Sequence, residues 1–309
     1  MQKYFKIFFN SFFLIISVLI LVFTDNAFSQ EIISEQYFIV EYDKKNKVLA
    51  DNIFKLLSPS KEQVTKALDI NYDNRINLIL CKDTNEFTKK TNVNTPMILG
   101  IAVSELQLIV IDAEKLQSKN RNDIQHLLEH EISHIILGNY IQAKSAEQFP
   151  RWFNEGVSQW TAEGANELFT ASYQNSLQSA FITGSLLPFS SIVYSFPGDL
   201  NGFTLAYAQS LSFIDYLVQK YGEDKLVELI KELKTENIFN NAFSKVYNKN
   251  FFDIEKQWAS EKRKTNFTID YYFATHINYF LDGLLGFVAT ITFVMLYFRN
   301  RRRKRKMVE

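Results

Sequence analysis

Asn122-Asp123-Ile124-Gln125-His126-Leu127-Leu128-Glu129-His130-Glu131-Ile132-Ser133-His134-Ile135-Ile136-Leu137 is the stretch on which the reading of this chain turns. Ile124, Leu128, Ile132, Ile135 and Ile136 recur at helical spacing and make one apolar stripe. Asn122 suits an N-cap, and Gly138-Asn139 supplies a stop. The spacing predicts a helix over 122–137, with His130 and His134 one turn apart on the same face. Two imidazoles so placed can bind one Zn²⁺ at about 2.0–2.1 Å each. Glu131 follows on the helix and can reach a metal-bound water without being a ligand. Zinc lowers the pKa of such a water to about 7. A carboxylate must then take the proton and deliver it to a leaving amine. His126 continues the four-residue repeat, but it lies about 12 Å along the axis from His134, too far to share one ion on a straight helix. It reads as a cleft-side or surface residue, and Glu129 as a solvated one.

A catalytic zinc site needs three protein ligands and an open position. Downstream stands Trp152-Phe153-Asn154-Glu155-Gly156-Val157-Ser158, on a helix predicted over 150–162 with Pro150 in its first turn. Glu155 is 21 positions after His134. A turn through 138–148 lets two packed helices supply His130, His134 and Glu155 as metal ligands. An isolated glutamate would read as a solvated helix carboxylate; the spacing and the Asn-Glu-Gly context favour a ligand.

With both motifs in view, residues 95–260 resemble the gluzincin zinc metallopeptidases of the peptidase MA-like superfamily. The resemblance rests on HEISH (130–134) and WFNEGVS (152–158), and more weakly on Tyr207-Ala208-Gln209-Ser210. It implies that His130, His134 and Glu155 hold one Zn²⁺ and that Glu131 is the general base. It also implies a tyrosine on a later helix that hydrogen-bonds the oxyanion. Tyr207 fits that place, with core packing as its other reading; Tyr194, in a loop between Pro188 and Pro197, fits less well. Two departures stand out. Aminopeptidase relatives carry Gly-x-Met-Glu-Asn upstream, whereas Leu99–Glu105 reads LGIAVSE, which argues against aminopeptidase action. Thermolysin-like relatives have an aspartate four residues after the glutamate ligand, where this chain has Gln159. The partner that orients a ligand histidine must then differ.

The rest of the chain frames this site. Tyr37–Tyr42, Arg75–Cys81, Ile98–Val103 and Leu106–Ile111 read as strands, the last two flanking a hairpin at Ser104-Glu105. In similar proteins the strand before the metal helix is an exposed edge that pairs with extended substrate; a core strand is the other reading. Lys47–Leu68 and the spans 165–181, 202–221, 223–234 and 250–263 read as helices. Strands first and helices afterwards give an α+β fold, expected as a zincin-like domain with a small N-terminal sheet and a mostly helical C-terminal half.

The chain has 309 residues, and its 22% charged and 15% aromatic content excludes wholesale disorder. Its single cysteine, Cys81, excludes an intramolecular disulfide framework and a cysteine-rich zinc site. The net charge of zero gives no reason to expect nucleic acid. That zero hides a partition: residues 30–276 hold 25 basic and 31 acidic residues, and 299–309 hold seven basic ones. Phe12–Phe23 after Lys3 and Lys6 reads as a signal peptide ending at 29, or an N-terminal anchor. Residues 277–298 read as a transmembrane helix followed by the basic tail 299–309, with 265–276 as linker. The resulting expectation is a single-pass cell-membrane protein. Its 30–264 domain faces outward and its C-terminus lies in the cytoplasm. The expected function is zinc-dependent hydrolysis of a peptide or protein substrate. The alternative is a zinc-stabilised cell-surface binding module with little hydrolysis. Oligomeric state is left open.

Overall fold

The computed structural model describes residues 30–95, 97–163, 171–266, 279, 281–296 and 299. Five strands form one mixed sheet: β1 (Gln30–Ser34), β2 (Phe38–Asp43), β3 (Ile76–Cys81), β4 (Gly100–Val103) and β5 (Leu108–Asp112). Their order is β1-β2-β3-β5-β4, with β2, β3 and β5 parallel and the two outer strands antiparallel. Period-2 alternation buries Phe38, Val40 and Tyr42 from β2 and Ile76, Leu78 and Leu80 from β3. Opposite them in register are residues of like kind, Phe38 beside Ile76 and Val40 beside Leu78.

The helices are α1 (Lys47–Leu68), α2 (Thr84–Thr91), α3 (Ala113–Leu116), α4 (Arg121–Ile141), α5 (Arg151–Thr161), α6 (Ala171–Thr183), α7 (Leu200–Tyr221), α8 (Glu223–Leu233), α9 (Phe239–Tyr247) and α10 (Phe251–Asn266). Helix α1 presents Ile53, Leu56, Leu57, Val64 and Leu68 as a buried stripe that packs on α4 and β2. The α+β reading stands, with sheet first and helices after. The sequence left β1, α2, α3 and α9 out.

The chain divides into two units. One comprises residues up to Leu177 together with Leu186–Glu255 and contains the sheet and α4; the other comprises Gln178–Ser185 and Lys256 onward. Within the second, Trp258 meets Phe181 edge to face at 5.1 Å.

The C-terminal membrane helix is corrected. Among the described residues no helix is long and apolar enough to cross a membrane. The single-pass cell-membrane placement, with an outward domain and a cytoplasmic tail, loses its support with it. The signal segment 1–29 and most of the linker and tail lie outside the described residues.

Strand β5, read from the sequence as a possible substrate edge, is paired on both sides, by β3 and β4. The edge strand on that side of the sheet is β4. The expected hairpin at Ser104-Glu105 is present: β4 and β5 pair antiparallel across a 3₁₀ turn over Ser104–Leu106 that closes on left-handed Gln107.

Candidate metal centre

Helix α4 is capped two residues earlier than expected, by Asn120. Asn120 Oδ1 accepts from the Asp123 amide at 3.0 Å, and Asp123 Oδ2 accepts from the Asn120 amide at 3.2 Å, a closed capping box. It also runs past Gly138 to Ile141. That glycine does not stop the helix; it admits the turn after β4. A Cβ on Gly138 would stand 2.3 Å from Ser104 Oγ. Ser104 Oγ donates to the His134 carbonyl at 2.9 Å, and Asn139 Nδ2 donates to the Ser104 carbonyl at 2.8 Å. Together these bonds lay β4 along the histidine helix.

Helix α5 is held from beneath by Trp152. Its ring lies 4.3 Å from Phe189, 5.2 Å from Phe239, 5.5 Å from Phe251 and 5.6 Å from Phe213, centroid to centroid. Gly156 gives α7 its close approach, since a Cβ there would be 2.8 Å from the Ser210 carbonyl oxygen. With the Trp152 face buried, Glu155 is turned toward α4.

The sequence expectation that His130, His134 and Glu155 meet is realised. His130 Nε2 and His134 Nε2 are 3.1 Å apart, and Glu155 Oε2 is 3.5 Å from the first and 3.4 Å from the second. In a tetrahedral site with donors about 2.0–2.1 Å from the ion, neighbouring donors stand about 3.3 Å apart. Glu155 Oε2 is buried with no hydrogen-bond partner among the described residues. A buried, unpartnered acceptor facing two imidazole nitrogens is the donor set a divalent cation satisfies. The three residues could hold a metal ion. Burial disfavours charge on both Glu155 and His134. Their mutual attraction overrides it, holding Glu155 well below the usual carboxylate range and His134 above the usual imidazole one.

Asn154 supplies the second contact to His134. Its Oδ1 is 2.9 Å from His134 Nδ1, and Ser158 Oγ is 3.1 Å from the same atom. A proton on Nδ1 donated to that carbonyl leaves the Nε2 lone pair for the donor cluster. Gln159, at the place where a carboxylate was sought, instead ties α5 to α7 by donating to the carbonyls of Glu155 at 3.1 Å and Tyr207 at 3.2 Å. Sequence reasoning passed over Asn154 although the signal was there: Asn154 and Ser158 are four apart on one helix face, directly before the glutamate.

Glu131 is 5% exposed, and burial raises its pKa against the opposing pull of both histidines. The Ala102 amide donates to its carboxylate. Gly100 makes room for it, because a Cβ there would lie 2.9 Å from Glu131 Oε1. These residues line a cleft of about 380 Å³ together with His126, Arg151, Phe203 and Tyr207. Tyr207 sits in α7, 9% exposed. Burial and the neighbouring Glu155 charge hold its hydroxyl pKa well above the ordinary value, so it stays a neutral donor. Tyr194 is 66% exposed and does not line the cleft. His126 is the cleft-side residue expected. Glu129 is not solvated but 1% exposed, accepting from Gln125 Nε2 at 2.9 Å and lying 3.2 Å from His126 Nδ1.

A family model described as the peptidase MA superfamily matches residues 64–263, a span that takes in the sheet from β3 onward and the whole donor cluster. The chain belongs to the peptidase MA superfamily. Among its relatives is the uncharacterized protein YhcO of Bacillus subtilis (strain 168), 26% identical over 231 residues, covering 70% of this chain and 68% of that protein. Membership in a peptidase superfamily and a His-His-Glu cluster in its cleft point to one chemistry.

Proposed function

We propose that the protein is a zinc-dependent peptidase of the gluzincin type that hydrolyses peptide bonds in the cleft between β4 and α5. The observation that carries this reading is the triangle of His130 Nε2, His134 Nε2 and Glu155 Oε2, with sides of 3.1–3.5 Å, beside a second buried carboxylate. When bound there, zinc supplies a Lewis acid that acidifies water and polarises a carbonyl.

Glu131 acts as the general base. Its raised pKa moves it toward the range where a carboxylate can both accept a proton and return it to a leaving amine. The Ala102 amide and the space at Gly100 fix where that carboxylate stands. Tyr207, neutral and lining the same cleft, donates its hydroxyl proton to the oxyanion. Asn154 and Ser158 hold the His134 ring in the tautomer that turns Nε2 to the cluster. The β4 edge, facing the cleft at Gly100, Ile101 and Ala102, offers backbone groups to an extended peptide. A buried Glu131 weighs against a purely structural metal site, which has no use for a second costly carboxylate beside its ligands.

Glu131→Gln keeps shape and removes the base. The expected result is unchanged zinc content with peptide hydrolysis reduced about 10²–10⁴-fold, the contribution of general base catalysis. Zinc-loaded Glu131→Gln that cleaves peptides as fast as wild type refutes the proposal.

A further inference from the structure

We propose that Arg151 is the anion-recognition group of this cleft and selects substrates that carry a carboxylate close to the bond to be cleaved. The inference rests on the peptidase reading above and names the substrate class of that site. Arg151 is the only lysine or arginine among the described cleft-lining residues. It stands in the first turn of α5, four residues before Glu155, with its side chain 36% exposed against 10% for Glu155. Its Nε lies 3.5 Å from Glu155 Oε1, while Oε2 of the same carboxylate faces the histidines. The guanidinium is therefore one carboxylate away from the donor cluster.

Its orientation is built. The guanidinium lies over the Phe196 ring at 4.9 Å, and Phe196 is itself buried. It also donates to the Tyr207 hydroxyl. A guanidinium carries five N–H donors in a planar fork. One ion pair at 3.5 Å, longer than the 2.7–3.2 Å of a good hydrogen bond, and one bond to a phenol do not exhaust them. A partly exposed fork held over an aromatic ring matches the two oxygens of a carboxylate.

Charge balance points the same way. Glu131 and Glu155 bring two negative charges to the cleft, and Arg151 brings one positive. A divalent cation on the donor cluster balances the two carboxylates, and Arg151 then leaves a surplus of one positive charge. An anionic substrate group offsets that surplus; a neutral one does not. The carboxylate has two possible sources: an Asp or Glu side chain next to the scissile bond, or the free C-terminus of a substrate ending just beyond it.

The test is a binding titration, followed by calorimetry, on the full-length zinc-loaded protein in the Glu131→Gln background, so that no turnover is needed. Three acetylated alanine peptides of equal length serve as probes: one with a C-terminal amide, one with a free C-terminal carboxylate, and one amidated peptide with an internal Glu. At least one anionic probe is expected to bind about 10- to 100-fold tighter than the neutral one, the range for losing a charge-assisted hydrogen bond. Which one it is identifies the source. Arg151→Gln is expected to erase the difference and keep zinc, because removing a cation beside a ligand does not weaken metal attraction. Equal binding of all three probes overturns the proposal. So does an Arg151→Gln protein that loses zinc and weakens every probe alike, since Arg151 would then be a clamp on Glu155. If Arg151→Gln fails to fold, the probe comparison in Arg151→Lys decides: a reduced preference supports the fork, an unchanged one overturns it. Selective anion binding without peptide cleavage by the wild type supports this site and removes the peptidase reading.

Discussion

Gly100→Ala isolates the placing of Glu131 from the stability of the fold. The new Cβ would stand 2.9 Å from Glu131 Oε1 and 3.2 Å from its Cδ and Cγ. Relaxed carbon–oxygen contacts are about 3.3–3.6 Å, so the carboxylate must retreat by roughly 0.4–0.7 Å. Gly100 is not among the positive-φ glycines, so alanine fits its backbone, and replacing glycine stiffens the unfolded chain. The clash falls on the far end of a side chain rather than on backbone, which keeps its cost to stability small. The cost to catalysis is larger. A misplacement of about 1 Å can cost ~10²-fold in rate, so half of that projects to about tenfold, or ~1.4 kcal/mol of barrier. Purified full-length wild type and Gly100→Ala should share a Tm within a few degrees and the same zinc content. Their kcat/KM on a peptide the wild type cleaves should differ about tenfold. Adding Gly100→Ala to Glu131→Gln should cost almost nothing more, because both act through one carboxylate. A Gly100→Ala rate within twofold of wild type, or a full extra tenfold loss in the double variant, refutes the reasoning.

Two further predictions concern the metal and the core. Asn154→Ala removes the 2.9 Å partner of His134 Nδ1 and should lower zinc affinity about 10- to 100-fold in chelator competition, whereas Gln159→Ala should leave the histidine contact intact. Cys81 is fully buried, and burial lifts its thiol to about 12. In the folded protein it should therefore resist iodoacetamide at pH 8–9 and react once denatured. Because the folded thiol keeps its proton where the unfolded one has lost it, its contribution to stability is full at neutral pH and falls as pH rises above about 9.

Helix α4 was legible because its information is local. A 3.6-residue period places His130 and His134 on one face whatever surrounds them, and the same period delimited α1 at Lys47–Leu68. Helix α9 was missed because its apolar residues, Phe239, Ala242, Phe243 and Val246, are few and follow a loop with no strong start signal. The membrane reading is not supported: hydropathy scores apolar residues along the chain, and among the described residues no helix is both long and apolar enough to cross a membrane.

The sequence by itself determined the α+β class, the histidine pair, the carboxylate between them and the glutamate that completes the cluster, since each rests on helical period or motif spacing. Only the tertiary structure decided which groups serve that cluster. It put Asn154 rather than Gln159 on His134, buried Glu129, made β4 the edge strand and brought Arg151 against Phe196 beside Glu155. Those choices depend on how closely β4 meets α4 and α5 meets α7. That closeness is set by side chains that are missing, at Gly100, Gly138 and Gly156, and a one-dimensional pattern carries no measure of what a missing Cβ would have touched.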